Sequence, residues 1–566
     1  MTGRESGEPP APEGQWPDGS RGAGATPPQL PSVPPGYGPG YGYGHPGQPR
    51  EFGPPLPPPA PGPVPAAVPA PGGGGGGGLR NPFKGRPAVL VAAVTVGLLL
   101  IGGGVYAVAR GGGDEPGKPA AKGTESATPS GSPSVDQGDG KGAGGGSEGY
   151  DPNAGIKDGE ARVWFSDNKT ELPGSGVQQY GPWRVGDVVV KAMFKEVTAL
   201  GVADGQEKWK VSLKAPLCGV AQAPSASGKL IVGVLDNDAA GAHCTHLQQI
   251  DLATGKEGWK VEVPKENAYD SNLTLDLVVS GDTVAVARSA VMSGFSVTDG
   301  KKLFGTSKTG NCYPATFGGG ARLIVLRNCP DPKDATAEQQ VMIEELDPAT
   351  GAPKWNHTYE KGWRVGRILS MDPLVVTAYV NERKIWNITA FTADGKVRSQ
   401  TTSKFGIDKR CNGWGDGTNG PHYCDGAVAD ADTLYIAGGK PGPELGIDKT
   451  DEVVAVDLNT GREKWHAAAP EGRTIWPVAI ENGKIIAYVW PGAGEAGAIV
   501  SLPTTGGTPE VVLRSPAAAA GAQSVFYPHG VRMTWSDGRL FLLNGMVRSP
   551  EPKKVDHAVL SFARVS

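Results

Sequence analysis

Cysteine is scarce and late in this chain, with six residues in 566 and none before Cys218. A lipid anchor built on a cysteine at the end of a signal sequence is therefore not expected. No two cysteines are adjacent, and no Walker loop, serine nucleophile elbow or His-Glu-x-x-His segment occurs. The short signatures of phosphate, acyl-transfer and zinc-hydrolase chemistry are thus missing. A dominant charge is also lacking: 54 Lys and Arg stand against 58 Asp and Glu, for a net charge of −4. With no basic cluster interleaved with aromatics, nucleic acid is not an expected partner.

Charge disappears altogether from Pro87 to Ala109. As a helix this stretch is about 34 Å long, enough to cross the hydrocarbon core of a bilayer. Arg80, Lys84 and Arg86 precede it, whereas Arg110 is followed by glycines and then Asp114 and Glu115. The positive-inside rule places the N-terminus in the cytoplasm and everything after Arg110 outside a cell membrane. Ala107-Val-Ala109 has the form of a signal-peptidase site. The apolar run is longer than a signal h-region and lies behind a long tail, so it reads as a single span.

Composition divides the rest. Residues 1–86 are a Pro/Gly field, with Pro54-Pro-Leu-Pro-Pro-Pro59 and the run Gly72 to Gly78. Too few aliphatic side chains are present to offset the entropy of ordering it, and a disordered cytoplasmic tail is expected. Residues 110–154 are Gly, Ser, Pro, Lys and Asp without a hydrophobic period, which predicts a flexible extracytoplasmic linker. Residues 155–566 hold the periodic sequence, and with it all six cysteines. These fall into three sequence-local pairs, Cys218 with Cys244, Cys312 with Cys329 and Cys411 with Cys424. An oxidising compartment would let each pair close, although six cysteines allow 15 connectivities. The metal alternative, His243-Cys-Thr-His246, lacks paired zinc-site spacing.

Within 155–566 one pattern recurs: an apolar strand end, a Thr-Gly or Asp-Gly turn, and an aromatic four residues on. The clearest copies are Ile250-Asp-Leu-Ala-Thr-Gly-Lys-Glu-Gly-Trp259, Leu346-Asp-Pro-Ala-Thr-Gly-Ala-Pro-Lys-Trp355 and Val456-Asp-Leu-Asn-Thr-Gly-Arg-Glu-Lys-Trp465. The turn glycines are Gly205, Gly255, Gly300, Gly351, Gly395, Gly461 and Gly507, spaced 44 to 51 residues apart except for one gap of 66. A period near 50 means a propeller or array. Trp209, Trp259, Phe304, Trp355 and Trp465 would fill the gaps between neighbouring sheets, while Ser399 and Val511 stand at that position in two degenerate copies. Eight β-branched runs, from Val188-Val-Val190 to Leu540-Phe-Leu-Leu543, read as inner strands. Several follow hairpin turns such as Asn482-Gly-Lys484 and Asp537-Gly-Arg539.

Eight strands against seven turns leave one unit incomplete. Ala161-Arg-Val-Trp-Phe-Ser166, with Trp164 at the aromatic place, supplies an outer strand, and Ala558 to Val565 ends the chain without a following turn. Joining the two in one blade closes the ring and removes the open end. The expected fold is an all-β propeller of eight blades, seven being the alternative count.

The repeat resembles that of quinoprotein-like (PQQ-like) propellers, and the likeness covers about residues 160–566. The resemblance implies two kinds of function. Some members are alcohol dehydrogenases that use calcium and pyrroloquinoline quinone, and others, such as the propeller lipoprotein of the outer-membrane barrel-assembly machinery, bind partner proteins. Those dehydrogenases stack their cofactor against two adjacent cysteines, a pair this chain does not have. Asp236-Asn-Asp238 opens like a calcium loop but lacks its glycine and terminal glutamate, and reads as a turn. The expected function is therefore a binding or scaffolding module for proteins or cell-envelope polymers, without cofactor, metal or catalytic residues; a membrane-tethered dehydrogenase is the alternative. The candidate contact surface is the insertion in the 66-residue gap, where Trp414, Asp416, His422 and Tyr423 lie between Cys411 and Cys424.

Overall fold

The computed structural model describes residues 150–566 apart from 267–269, 271–274, 289, 307–308, 335, 381–382, 384, 402–403, 409–410, 412–423, 442–448, 527–529, 551–556 and 565–566. The expected tail, membrane span and all but the last residues of the linker lie outside the described residues. Among the described residues no helix is long and apolar enough to cross a membrane.

Eight antiparallel sheets of four or five strands follow one another along the chain. Blade 1 is built from Val177–Val185, Val188–Met193, Glu196–Gly201 and Glu207–Ser212. Blades 2 to 5 repeat that order over 217–262, 276–304, 313–358 and 364–401, and blades 6 and 7 over 406–468 and 475–514. First strands touch from blade to blade, as Val177–Val185 does with Val531–Ser536 and Asp276–Ser280 with Tyr313–Gly318. They are thus the innermost strands. The β-branched runs read as inner strands are instead the second strands of their blades, each buried on both faces, as the burial of Thr283–Arg288 throughout its length illustrates.

The eighth blade joins the two ends of the domain. Its order is Val531–Ser536, Arg539–Asn544, His557–Arg564 and, outermost, Ala161–Asp167. Ala161 pairs with Arg564 and Trp164 with Ser561 in an antiparallel ladder. Met546–Val547 then adds to the inner edge of blade 1, pairing with Val177 and Gln178. The segment ahead of the closing strand is fixed as well: Asn153 Nδ2 donates to the Val163 carbonyl at 2.9 Å and its Oδ1 accepts from the Val163 amide at 2.8 Å. The ring closes on eight blades because blade 8 lacks an outermost strand of its own and takes Ala161–Asp167 from the other end of the domain.

The turn residues have two tasks. In the three clearest copies the aspartate side chain accepts amide protons from residues two and three ahead, as Asp347 Oδ1 does from Ala349 and Thr350 at 3.1 and 3.0 Å. The glycine closes the turn with its own amide, Gly255 onto the Asp251 carbonyl at 2.8 Å, at a φ of +71°. That conformation costs an L side chain but not glycine. The second task is contact: a Cβ on Gly255 would lie 2.7 Å from the Trp209 ring of blade 1, and one on Gly300 2.8 Å from Trp259 of blade 2. Gly351 meets Phe304 in the same way, Gly395 meets Trp355, and Gly205 meets Trp164 of the closing strand. The turns of blades 1 to 5 therefore lie on the aromatic of the blade before, whereas Gly461 of blade 6 lies on the Gln400 backbone. The seventh turn corrects the sequence reading, since Gly506 rather than Gly507 approaches the aromatic, with a Cβ 3.0 Å from Trp465.

The 66-residue gap has a physical cause. The first strand of blade 6 is split into Gly406–Ile407 and Ala427–Ala429, which pair with the two ends of the same strand, Thr433–Gly439. The insertion between them is closed by the Cys411–Cys424 disulfide. Cys218–Cys244 and Cys312–Cys329 also form, each within one blade, so the sequence-local pairing holds for all six cysteines.

Candidate functional site

A polar cavity lies at the seam where the last blade meets the first. Lys191, Thr198 and Lys210 are cross-strand partners in blade 1, so their side chains form one row on one face of the sheet. Together with Phe165 to Thr170 of the closing strand and its following loop, and with Glu196, Glu207 and Gln206, they line a cavity of about 120 Å³.

Lys191 is 6 % exposed, and its hydrogen-bond contact among the described residues is the Met193 thioether at 3.7 Å. Burial lowers its pKa to about 8; Glu196 opposes the shift and Lys210 adds to it. Glu196 is already engaged, accepting from the Thr170 hydroxyl at 3.0 Å and pairing with Lys210 at 3.4 Å. Asp167 Oδ1 lies 2.5 Å from His557 Nδ1, and the His557 ring is tilted against Phe165 with centroids 4.4 Å apart. Neither the Thr198 hydroxyl, on a residue 4 % exposed, nor Asp167 Oδ2 has a hydrogen-bond partner among the described residues.

Strand register shows how unusual this lysine is. The equivalent second-strand position is Val232, Val286, Val325, Val376, Ile436, Ala487 and Leu542 in blades 2 to 8. All seven are fully buried or within 1 % of it. Sequence reasoning stopped at Val188-Val-Val190 and passed over Lys191; aligning the eight strands on their turn glycines would have found it.

Two other buried charge pairs form within the protein, although Asp270 Oδ1 has no hydrogen-bond partner among the described residues. Arg327 and Glu344 pair at 2.6 Å with both side chains fully buried, and the Thr309 hydroxyl donates to Glu344 at 2.9 Å. Arg288 pairs with Asp270 at 2.8 Å and donates to the Val263 and Pro264 carbonyls. These pairs fix segments ahead of blades 3 and 4 onto them; removing one partner would leave the other charge buried and uncompensated.

The residues singled out in the sequence fall into three groups. Trp164, Trp209, Trp259, Phe304, Trp355 and Trp465 occupy equivalent outer-strand positions at the seams between blades. The indole N–H groups of Trp164, Trp259 and Trp465 donate to the Val202, Val297 and Thr504 carbonyls of the next blade. In the degenerate fifth copy Ser399 keeps that bond, donating to the Leu458 carbonyl at 2.8 Å, while Arg398 reaches Asn459, Asp432 and the Ala431 carbonyl. The seam is rebuilt from polar contacts. Val511, in the seventh copy, is 43 % exposed instead. Cys244 of the His243-Cys-Thr-His246 segment is in a disulfide, and Asp236 and Asn237 cap a turn by accepting from the His243 and Ala239 amides. Trp414, Asp416, His422 and Tyr423 lie outside the described residues.

A family model described as outer membrane protein assembly factor BamB, of the PQQ-like repeat type, matches residues 154–312. That stretch holds the closing strand and the first three blades, and blades 4 and 6 repeat its turn and aromatic. The chain is an eight-bladed β-propeller whose residues 154–312 match a PQQ-like repeat. No curated protein matches it. It is similar to the solved structure of BamB from Moraxella catarrhalis, at 18% identity over 70% of this chain and 99% of that one, with a TM-score of 0.37. It is also similar to the quinohemoprotein alcohol dehydrogenase from Comamonas testosteroni, at 15% identity over 71% and 76%, with a TM-score of 0.39. The fold rests on the strand pairing of the propeller itself rather than on those likenesses.

Proposed function

We propose that the chain is a single-span membrane protein that presents its propeller outside the membrane as a binding or scaffolding module for proteins or cell-envelope polymers. The observation that carries this reading is that all six cysteines are paired in disulfides. Disulfides persist in oxidising compartments and are rare in reducing ones. The uncharged stretch 87–109, with Arg80, Lys84 and Arg86 before it, supplies the anchor and its orientation. The repeat's glycines and aromatics are used in joining blade to blade, which leaves recognition to the loops. The matching family model carries the description of an assembly factor, which agrees with a partner-binding role.

We assign the contact to the insertion between Cys411 and Cys424, whose Trp414 and Tyr423 supply amphipathic area at low conformational cost. The test is a pull-down from intact membranes with the full chain as bait, repeated with Trp414→Ala/Tyr423→Ala. A partner captured by the parent and lost by the variant, at unchanged thermal stability, supports the reading. Equal capture by both, or reduction of a redox dye with an alcohol after pyrroloquinoline quinone and calcium are added, would overturn it.

A further inference from the structure

We propose that the cavity between the last and first blades binds a small oxyanion, a phosphate or carboxylate group, held between Lys191 and Lys210 with the Thr198 hydroxyl donating between them. This site lies in a seam between two sheets and is independent of the partner-binding insertion.

Three observations converge on it. The first is the row itself: adjacent strands lie about 4.8 Å apart, so two lysines flank one hydroxyl-bearing residue on a single face, Lys210 also pairing with Glu207 at 3.5 Å. An oxyanion offers several acceptor atoms, which suits donors arriving from separate strands. The second is the lack of compensation. A buried ammonium is costly unless paired and hydrogen-bonded, yet Lys191 touches a thioether and Thr198 has no partner among the described residues. The Glu196 carboxylate nearby is held by Thr170 and Lys210 rather than by Lys191. The lowered pKa of Lys191 reflects the same deficit.

The third observation is that the fold does not require the lysine. Seven blades place an apolar side chain in that register, and all are buried there. A polar exception at one seam, lining a cavity with room for a small ion and some water at about 30 Å³ per water, marks a site rather than a packing device.

The experiment measures the melting temperature of the full chain in rising inorganic phosphate, and separately in rising acetate, against sodium chloride at matched ionic strength. A ligand that binds only the native state raises the melting temperature along a saturable curve. Phosphate is expected to do so; a response to acetate as well extends the site to carboxylates, and acetate alone would narrow it to them. Lys191→Met places an apolar side chain where the other blades have one. It is expected to fold with an equal or higher melting temperature and to bind at least about tenfold more weakly, the scale of a lost charge-assisted hydrogen bond. If it does not fold, Thr198→Val removes one donor at constant volume and is expected to weaken binding about fivefold or more. No response to either ion beyond that to chloride, or an undiminished response in the folded variant, would overturn the proposal.

Discussion

The seam between the first and last blades can be tested by truncating one side chain on the closing strand. Trp164 is 4 % exposed, packs edge-on against Phe541 at 6.2 Å, and donates from its indole to the Val202 carbonyl at 3.0 Å. Its other face carries Gly205, the turn glycine of blade 1. Trp164→Ala therefore removes a ring that three strands of two blades share. Truncating a buried aromatic of this kind costs about 3 to 5 kcal/mol, of which about 1 is the hydrogen bond. The control is Val511→Ala, four residues after Gly507 in the turn of blade 7 and paired with Val500, where the side chain is 43 % exposed. Its cost is expected to stay within about 0.5 kcal/mol. Urea unfolding followed by far-ultraviolet circular dichroism reads both without depending on the removed tryptophan. Comparable costs for the two variants would refute the claim that an outer-strand side chain is structural only where a neighbouring blade lies on it.

Three further outcomes follow from the same contacts. Gly255→Ala and Gly483→Ala impose the same positive φ, +71° and +70°, but a Cβ at 255 meets the Trp209 ring and one at 483 meets nothing within 4 Å. The first should lower the melting temperature clearly more than the second, whose cost is about 1 kcal/mol of backbone strain. Reducing the disulfides opens loops of 26, 17 and 13 residues. Loop-closure entropy puts each at about 3 kcal/mol, so dithiothreitol should lower the urea midpoint at fixed pH, and an unchanged midpoint would contradict the pairing. The aspartates of the repeat turns have depressed pKa values. Asp299 is held at about 2 by Lys301 and Ser296, and Asp394 at about 2 by Lys396 and Thr392. Asp251 is lowered by Lys229, and Asp347 and Asp457 by the threonines of their turns. A folded pKa below the unfolded value gives stability that is present above about pH 4 and lost as the pH falls toward 2. Asn at positions 251, 347 and 457 should flatten that acid limb of a melting-temperature profile.

Much of this architecture was readable because each turn residue has a local task. Asp347 caps amides two and three residues on, and Gly351 supplies the positive φ, so the motif is visible without knowledge of the fold. The closing strand was legible because Trp164 repeated the aromatic position ahead of a strand series that ended without a turn. The first strands were not. Leu217–Val220 has four residues including a cysteine and a glycine, and the blade 6 strand is cut by an insertion, so neither carries an apolar period. Thr504-Thr-Gly-Gly507 offered two glycines, and only contact with Trp465 selects Gly506. Lys191 escaped notice because its significance lies in register across blades rather than in any local motif.

The propeller is a closed ring whose eighth blade is shared by the two ends of the domain. Arg162 and Ala563 are cross-strand partners in that blade, and directly opposed residues of antiparallel strands are close enough for a disulfide. Oxidising the full-length Arg162→Cys/Ala563→Cys variant and mapping its peptides by mass spectrometry should give a 162–563 cross-link within monomers. Free thiols at both positions, or cross-links between molecules alone, would contradict the closure.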